Sequence, residues 1–127
     1  MFVYAYERSQ PIIDLRNKLA RIVTKTKKSN NAKRFFKSCQ KSIGMKTYLM
    51  LIQQVSTRWN SLYLMLERFE VLAKPLALFF QDSRYSKYMI TGEEWTLIRE
   101  LLKVLRPLYD ATLEMSGMFL RFFLKLI

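Results

Sequence analysis

Histidine is missing from this 127-residue sequence, and cysteine occurs once, as Cys39. Without histidine there is no imidazole metal ligand, no Ser-His or Cys-His catalytic pair and no histidine pH switch. A single cysteine excludes an internal disulfide framework and a thiolate zinc cluster, and it fits a reducing compartment. Three glycines and three prolines are too few for a sandwich or barrel built on many tight turns. The glycines are isolated, which leaves no phosphate-cradling loop. Long apolar runs are lacking too. The apolar start, Met1 to Tyr6, is short and runs into Glu7 and Arg8, which does not fit a signal peptide. The stretch Met118 to Ile127 carries Arg121 and Lys125, whereas a membrane span needs roughly 20 apolar residues. No membrane partner is expected.

Negative charge is the other shortage. Asp plus Glu totals 10 against 22 Lys plus Arg, a net charge of +12. Residues 1–46 hold twelve basic residues and two acids, Glu7 and Asp14, while residues 47–127 hold ten basic and eight acidic ones. The chain thus divides into a basic helical segment, 1–46, and a second segment, 47–127, within one domain or partial domain. Clustered positive charge is the footprint of a polyanion partner, most often nucleic acid, whose neutralised phosphates give salt-sensitive affinity. The candidate phosphate contacts are Lys25, Lys27, Lys28, Lys33 and Arg34. The alternative is a helical protein-interaction or scaffold module whose basic face is only solvating.

What is present is core material. Half of the residues are hydrophobic and 14% are aromatic, which argues against disorder. Ile12, Leu15, Leu19, Ile22 and Val23 recur at helical spacing after Pro11 and predict a basic amphipathic helix over 11–28. Ser29-Asn30-Asn31 interrupts it, because Ser and Asn favour caps over helix interiors. A second helix over 32–42 buries Phe35, Phe36 and Cys39, and Gly44 is placed to end it in a left-handed cap. The apolar run Leu49 to Val55 reads as an extended segment or short strand. Thr57 is a candidate cap for a helix whose face carries Leu62, Leu66, Phe69, Ala73 and Leu76 out to Gln81, with a kink or break near Lys74 ahead of Pro75. Residues 82–88 read as a loop. Thr91 and Glu94 have capping-box spacing, flanked by Ile90 and Trp95 at the staple positions. The helix that starts there buries Trp95, Ile98, Leu101, Leu102 and Leu105, is bent or divided at Pro107, and stops at Gly117. The fold class is mainly α, with at most one or two short strands.

The phrase Thr57-Arg58-Trp59-Asn60-Ser61, followed by Tyr63-Leu64-Met65-Leu66-Glu67-Arg68, resembles the signature of the hAT superfamily of DNA transposases and their relatives, the zinc-finger BED domain-containing proteins. The resemblance extends upstream through Ile22-Val23, Ser29-Asn30 and Gln40. Downstream it takes in Thr91, Glu94-Trp95, Leu105 to Pro107 and Ala111-Thr112 to Ser116. It implies an RNase H-like fold whose catalytic metals are held by two Asp and one Glu, with a long helical insertion before the Glu. On that resemblance this chain corresponds to the early insertion, the three acids fall outside it, and it is a non-catalytic fragment without cofactor or metal. The resemblance also implies a nuclear location and DNA as partner, with Arg58 gripping phosphate and Trp59 stacking on an unpaired base near the transposon end. Packing in the core is the competing role for Trp59. Gln54 stands where the family often has Asp, and Leu62 where it usually has Thr. The tail from Met118 also departs from the family pattern. These changes suit a decayed or partial copy better than an active enzyme. A piece of a larger fold exposes apolar surface, which allows a homo- or hetero-oligomer.

Other chemistry is weakly represented. Lys37 and Lys41 flank Cys39 and would lower its pKa, but no histidine base accompanies it. Glu93, Glu94 and Glu100 share a helix without forming a catalytic pair. Tyr85 and Tyr88, beside Arg84 and Lys87, offer rings for base stacking but fit an exposed loop better. No small-molecule substrate is expected.

Overall fold

Pro11 sits in the first turn of a helix, where its missing N–H has no intrahelical partner to lose. That helix, α1, spans Gln10–Lys28 and buries Ile12, Leu15, Leu19, Ile22 and Val23, the expected stripe. The computed structural model describes the backbone of residues 9–53 and 59–126 and the side chains of residues 9–53, 61–111 and 113. Ser29 separates α1 from α2, Asn30–Ser42. It ends the first helix with an N–H to Lys25 C=O bond and caps the second by accepting from the Ala32 N–H at 3.2 Å. One residue thus makes the corner between the two helices. Gly44, at φ 88°, closes α2. Gly44 N–H reaches Lys41 C=O and Met45 N–H reaches Gln40 C=O, the paired bonds of a Schellman cap.

The run after it is not a strand. Leu49, Met50 and Leu51 have no regular secondary structure, and no strand occurs among the described residues; Val55 lies outside them. The reason is that side chains take the backbone groups a partner strand would use. Gln40 donates from Nε2 to Leu49 C=O at 2.8 Å and accepts from Leu49 N–H at 3.0 Å. Arg68 donates to Met50 C=O at 2.9 Å. The segment lies between helices, with Leu51 buried.

Helix α3 spans Trp59–Val71 and α4 spans Ala73–Gln81. The interruption falls at Leu72, two residues earlier than the sequence suggests. A proline ring clashes with the carbonyl four residues back, here that of Val71. The distortion therefore appears at Leu72 (φ −98°, ψ 18°), and Pro75 occupies the first turn of α4. A short 3-10 turn, Ser86–Tyr88, follows. The last helix, α5, spans Gly92–Leu126, about 52 Å at 1.5 Å per residue. It passes through both Pro107 and Gly117, so neither divides nor ends it. Pro107 and Lys103, whose carbonyl loses its partner, are both exposed, and water can satisfy that carbonyl. A glycine inside a helix costs only about 1 kcal/mol.

Packing runs α1 on α2, α2 on α4, α4 on α3, and α3 on α5. The junction of α2 and α4 is aromatic. Phe79 meets Phe36 edge-on at 5.5 Å and stacks on Tyr85 at 4.3 Å between ring centroids. Ile98, Leu101 and Leu105 of α5 are buried, with Trp95 and Leu102 half-buried beside them. Tyr63 of α3 stacks on Tyr109 of α5 at 4.6 Å. No described helix is long and apolar enough to cross a membrane.

Candidate nucleic-acid interface

The corner between α1 and α2 gathers five of the candidate residues. Lys25, Lys27 and Lys28 fill the last turn of α1, where cations complement the helix dipole. Lys33 and Arg34 follow the first turn of α2, which contains no acid, so there positive charge meets the positive end of the dipole. Lys27, Lys28, Lys33 and Arg34 are exposed and Lys25 is half-buried. Among the described residues none of the five has an ion-pair partner. Arg58 lies outside the described residues, as does the candidate cap Thr57. Trp59 opens α3, but its side chain is also outside them. The signature pair is therefore not placed against the basic corner.

The capping box forms as the spacing requires. Thr91 N–H donates to Glu94 Oε1 at 2.9 Å, and Glu94 N–H donates to Thr91 Oγ1 at 3.2 Å. Glu94 has a third partner that no local pattern announces: Lys18 Nζ of α1, at 2.7 Å, which also donates to Met89 C=O. Burial pushes the Glu94 carboxyl up, but Lys18 and the Thr91 bonds outweigh it and hold the group below the ordinary carboxylate range. This ion pair pins the start of α5 to α1.

Two tyrosines that look alike in sequence separate. Tyr85 is buried under Phe79 and is no base platform. Arg84 lies over the rings of Phe35 and Tyr85, at 5.2 and 5.0 Å, and is paired with Asp82. Tyr88 instead lines a surface recess with Arg21 and Lys25. A second basic recess, bounded by Lys37, Lys41, Lys46 and Tyr48, lies at the far end of α2. Sequence reasoning offered Tyr88 and Lys87 for base stacking but set them aside as an exposed loop, and it missed the second recess, although the cation spacing along each helix was there to see. Cys39 is corrected: burial, then the charge of Asp82, raises its thiol pKa, opposite to activation by neighbouring lysines.

Catalytic metal chemistry finds no ligand set in the described residues, where no three His, Cys, Asp or Glu side chains come together to hold an ion. Several of the acids serve structure. Asp82 pairs with Arg84, Glu70 with Arg99, and Glu67 accepts from the Tyr63 hydroxyl.

A family model for the ZBED1 RNase-like helical domain matches residues 8–104. The chain belongs to this family. The ZBED1 RNase-like helical match takes in α1 to α4 and the first part of α5. It agrees with the all-helical architecture and with the hAT transposase-like signature around Trp59. The chain is 41% identical over 66 residues to the "Putative AC transposase" of Zea mays, an alignment that covers 50% of this chain and 8% of the relative. It is 29% identical over 112 residues to the "Putative transcriptional regulator tpeD" of Talaromyces stipitatus, covering 88% of this chain and 13% of that protein. The chain thus spans a small part of the length of either relative. No solved structure matches it.

Proposed function

We propose that this hAT transposase-like helical domain binds nucleic acid through the α1–α2 corner, is not catalytic itself, and works in the nucleus. The observation that carries the reading is the concentration of Lys25, Lys27, Lys28, Lys33 and Arg34 around one helix junction without a neutralising carboxylate among the described residues. The α1 dipole accounts for Lys25, Lys27 and Lys28 singly, but not for adding Lys33 and Arg34 at the positive end of α2 beside them. A phosphate backbone would neutralise them and release counterions. A DNA partner and a nuclear location also fit the printed names of the relatives, a transposase and a transcriptional regulator. The non-catalytic role is supported by Glu70, Asp82 and Glu94 being engaged in ion pairs, and by the remaining described acids not gathering into a set of three.

Fluorescence anisotropy with duplex and single-stranded DNA across a salt series tests this. Binding should weaken with salt by about 0.9 log units per log unit of salt for each phosphate neutralised on duplex. Replacing the five cations by alanine should flatten that slope by up to about 4.5. If the chain binds neither form at low salt, the reading is wrong, and a stable protein partner found by pull-down would then favour the scaffold module. Exposed Val71 and Leu113 are apolar points such a partner, or a second copy, would cover.

A further inference from the structure

Lys18, Arg21, Lys25 and Lys28 stand three, four and three residues apart on α1, so they form one stripe about 15 Å long. The stripe leads from the capping box of α5 to the α1–α2 corner. At its near end Lys18 is held by Glu94, which neutralises the acid in that place. Arg21, Lys25 and Lys28 have no ion-pair partner among the described residues.

The 3-10 turn lies across this stripe. A recess of about 370 Å³ is lined by Ala20, Arg21, Thr24, Lys25 and Tyr88. It adjoins another of about 510 Å³ lined by Lys18, Arg21, Lys87 and Tyr88. Tyr88 is therefore the aromatic wall of one continuous basic groove. Its turn is anchored: Tyr88 N–H donates to the carbonyl of Tyr85, whose own ring is stacked on Phe79 in the core. Tyr88 is half-buried against that core, and Lys87 Nζ rests 5.3 Å from its ring centroid. A fixed, partly open ring beside unpaired cations is the arrangement that stacks a base while phosphates are gripped alongside. A duplex keeps its base faces stacked inside and has none to offer.

Resting on the nucleic-acid reading above, we infer that this groove seats one strand of single-stranded DNA, with Arg21, Lys25 and Lys87 on its phosphates and an unpaired base on Tyr88. Lys87 leaves the ring for phosphate when the base arrives. Lys28 follows Lys25 by three residues on the same face of α1, so a strand leaving the groove past Lys25 meets it next.

The test uses anisotropy with a labelled 12-nucleotide thymidine strand, a fully abasic strand of the same length and a duplex, at fixed low salt. Wild type should bind the thymidine strand about 5- to 160-fold more tightly than the abasic one, the range that one stacked base supplies. Tyr88→Ala should remove that preference and change duplex binding less than about twofold, while Tyr88→Phe keeps it. Equal binding of thymidine and abasic strands by wild type overturns the groove without any variant needing to fold. So does a Tyr88→Ala chain that retains the preference, or one that loses duplex and single-strand affinity equally. In those cases salt-dependent binding survives, and the broader reading stands. If wild type binds no DNA at all, both fail.

Discussion

Polar groups are used in opposite ways at two places along the first two helices. Lys18 and Gln40 point their polar atoms inward: one is bonded to Glu94 and Met89, the other to both backbone groups of Leu49. Lys27, Lys28, Lys33 and Arg34 point theirs at water with no acid beside them among the described residues. The same helices therefore carry groups that hold the fold together by specific bonds and groups that bond to nothing in it, Lys27 and Lys28 touching it only through the α1 dipole. A cation committed to a carbonyl and a carboxylate cannot serve a phosphate, and an uncommitted cluster at a helix start costs stability. Composition counts both kinds alike; only the placement separates them.

The inward side breaks most severely at Gln40, whose side chain is 1% exposed. Gln40→Leu removes both bonds to Leu49 and leaves a backbone donor and acceptor of a partly buried segment without partners. The expected loss is about 2–4 kcal/mol, from one to two unsatisfied groups at about 1–3 kcal/mol each. Urea unfolding measures it. A midpoint unchanged from wild type would mean that the 48–53 segment is held by Leu51 and Arg68 alone.

A smaller effect is expected at Glu94, and it depends on pH. The folded carboxyl titrates below its ordinary value, so the unfolded chain takes up a proton first as the solution is acidified. Its contribution is therefore present above the unfolded value, near 4.5, and is lost as pH falls through the folded value. Glu94→Gln keeps a capping-box residue at the third helical position but loses the charge facing Lys18. At neutral pH the variant should be less stable by about 1 kcal/mol, the upper range for partly exposed pairs. The difference from wild type should shrink as pH is lowered from 6 to 3. A constant difference across that range would show that the Lys18 pair contributes nothing.

Much of this inward architecture was legible. The stripe of α1, the cap at Ser29, the left-handed Gly44 and the Thr91–Glu94 box follow from spacing and local hydrogen-bonding chemistry, which act over three to five residues. Three features were only partly legible because they are decided at longer range. The Leu49 segment reads as extended or as a short strand, and Gln40 and Arg68 decide against the strand by taking backbone groups that a partner would need. Pro107 and Gly117 are breakers in isolation, but α5 is already fixed upstream by Ile98, Leu101 and Leu105 in the core. Tyr85 and Tyr88 are three residues apart with similar neighbours, and only the tertiary position of Phe79 buries one and leaves the other on a groove. The basic corner was legible as composition. Its lack of counter-charge among the described residues was not, because that depends on where the acids go.

The outward side yields the smallest effect and the one with the unusual sign. Lys33 places a positive charge just after the first turn of α2, against the helix dipole and next to Arg34. If these cations are kept for a partner and not for the fold, reversing one should strengthen the fold. Lys33→Glu should raise stability by about 0.3–1 kcal/mol, the usual worth of an acid near a helix start, and that gain should fade at high salt. The same variant should bind duplex DNA more weakly, because it removes one phosphate contact and adds a repelling charge. Thermal unfolding and anisotropy on one preparation check both signs. A variant that is less stable than wild type would place Lys33 among the inward, fold-holding groups with Lys18. A gain in stability with unchanged DNA affinity would leave the corner as solvated surface and move the interface to the groove along α1.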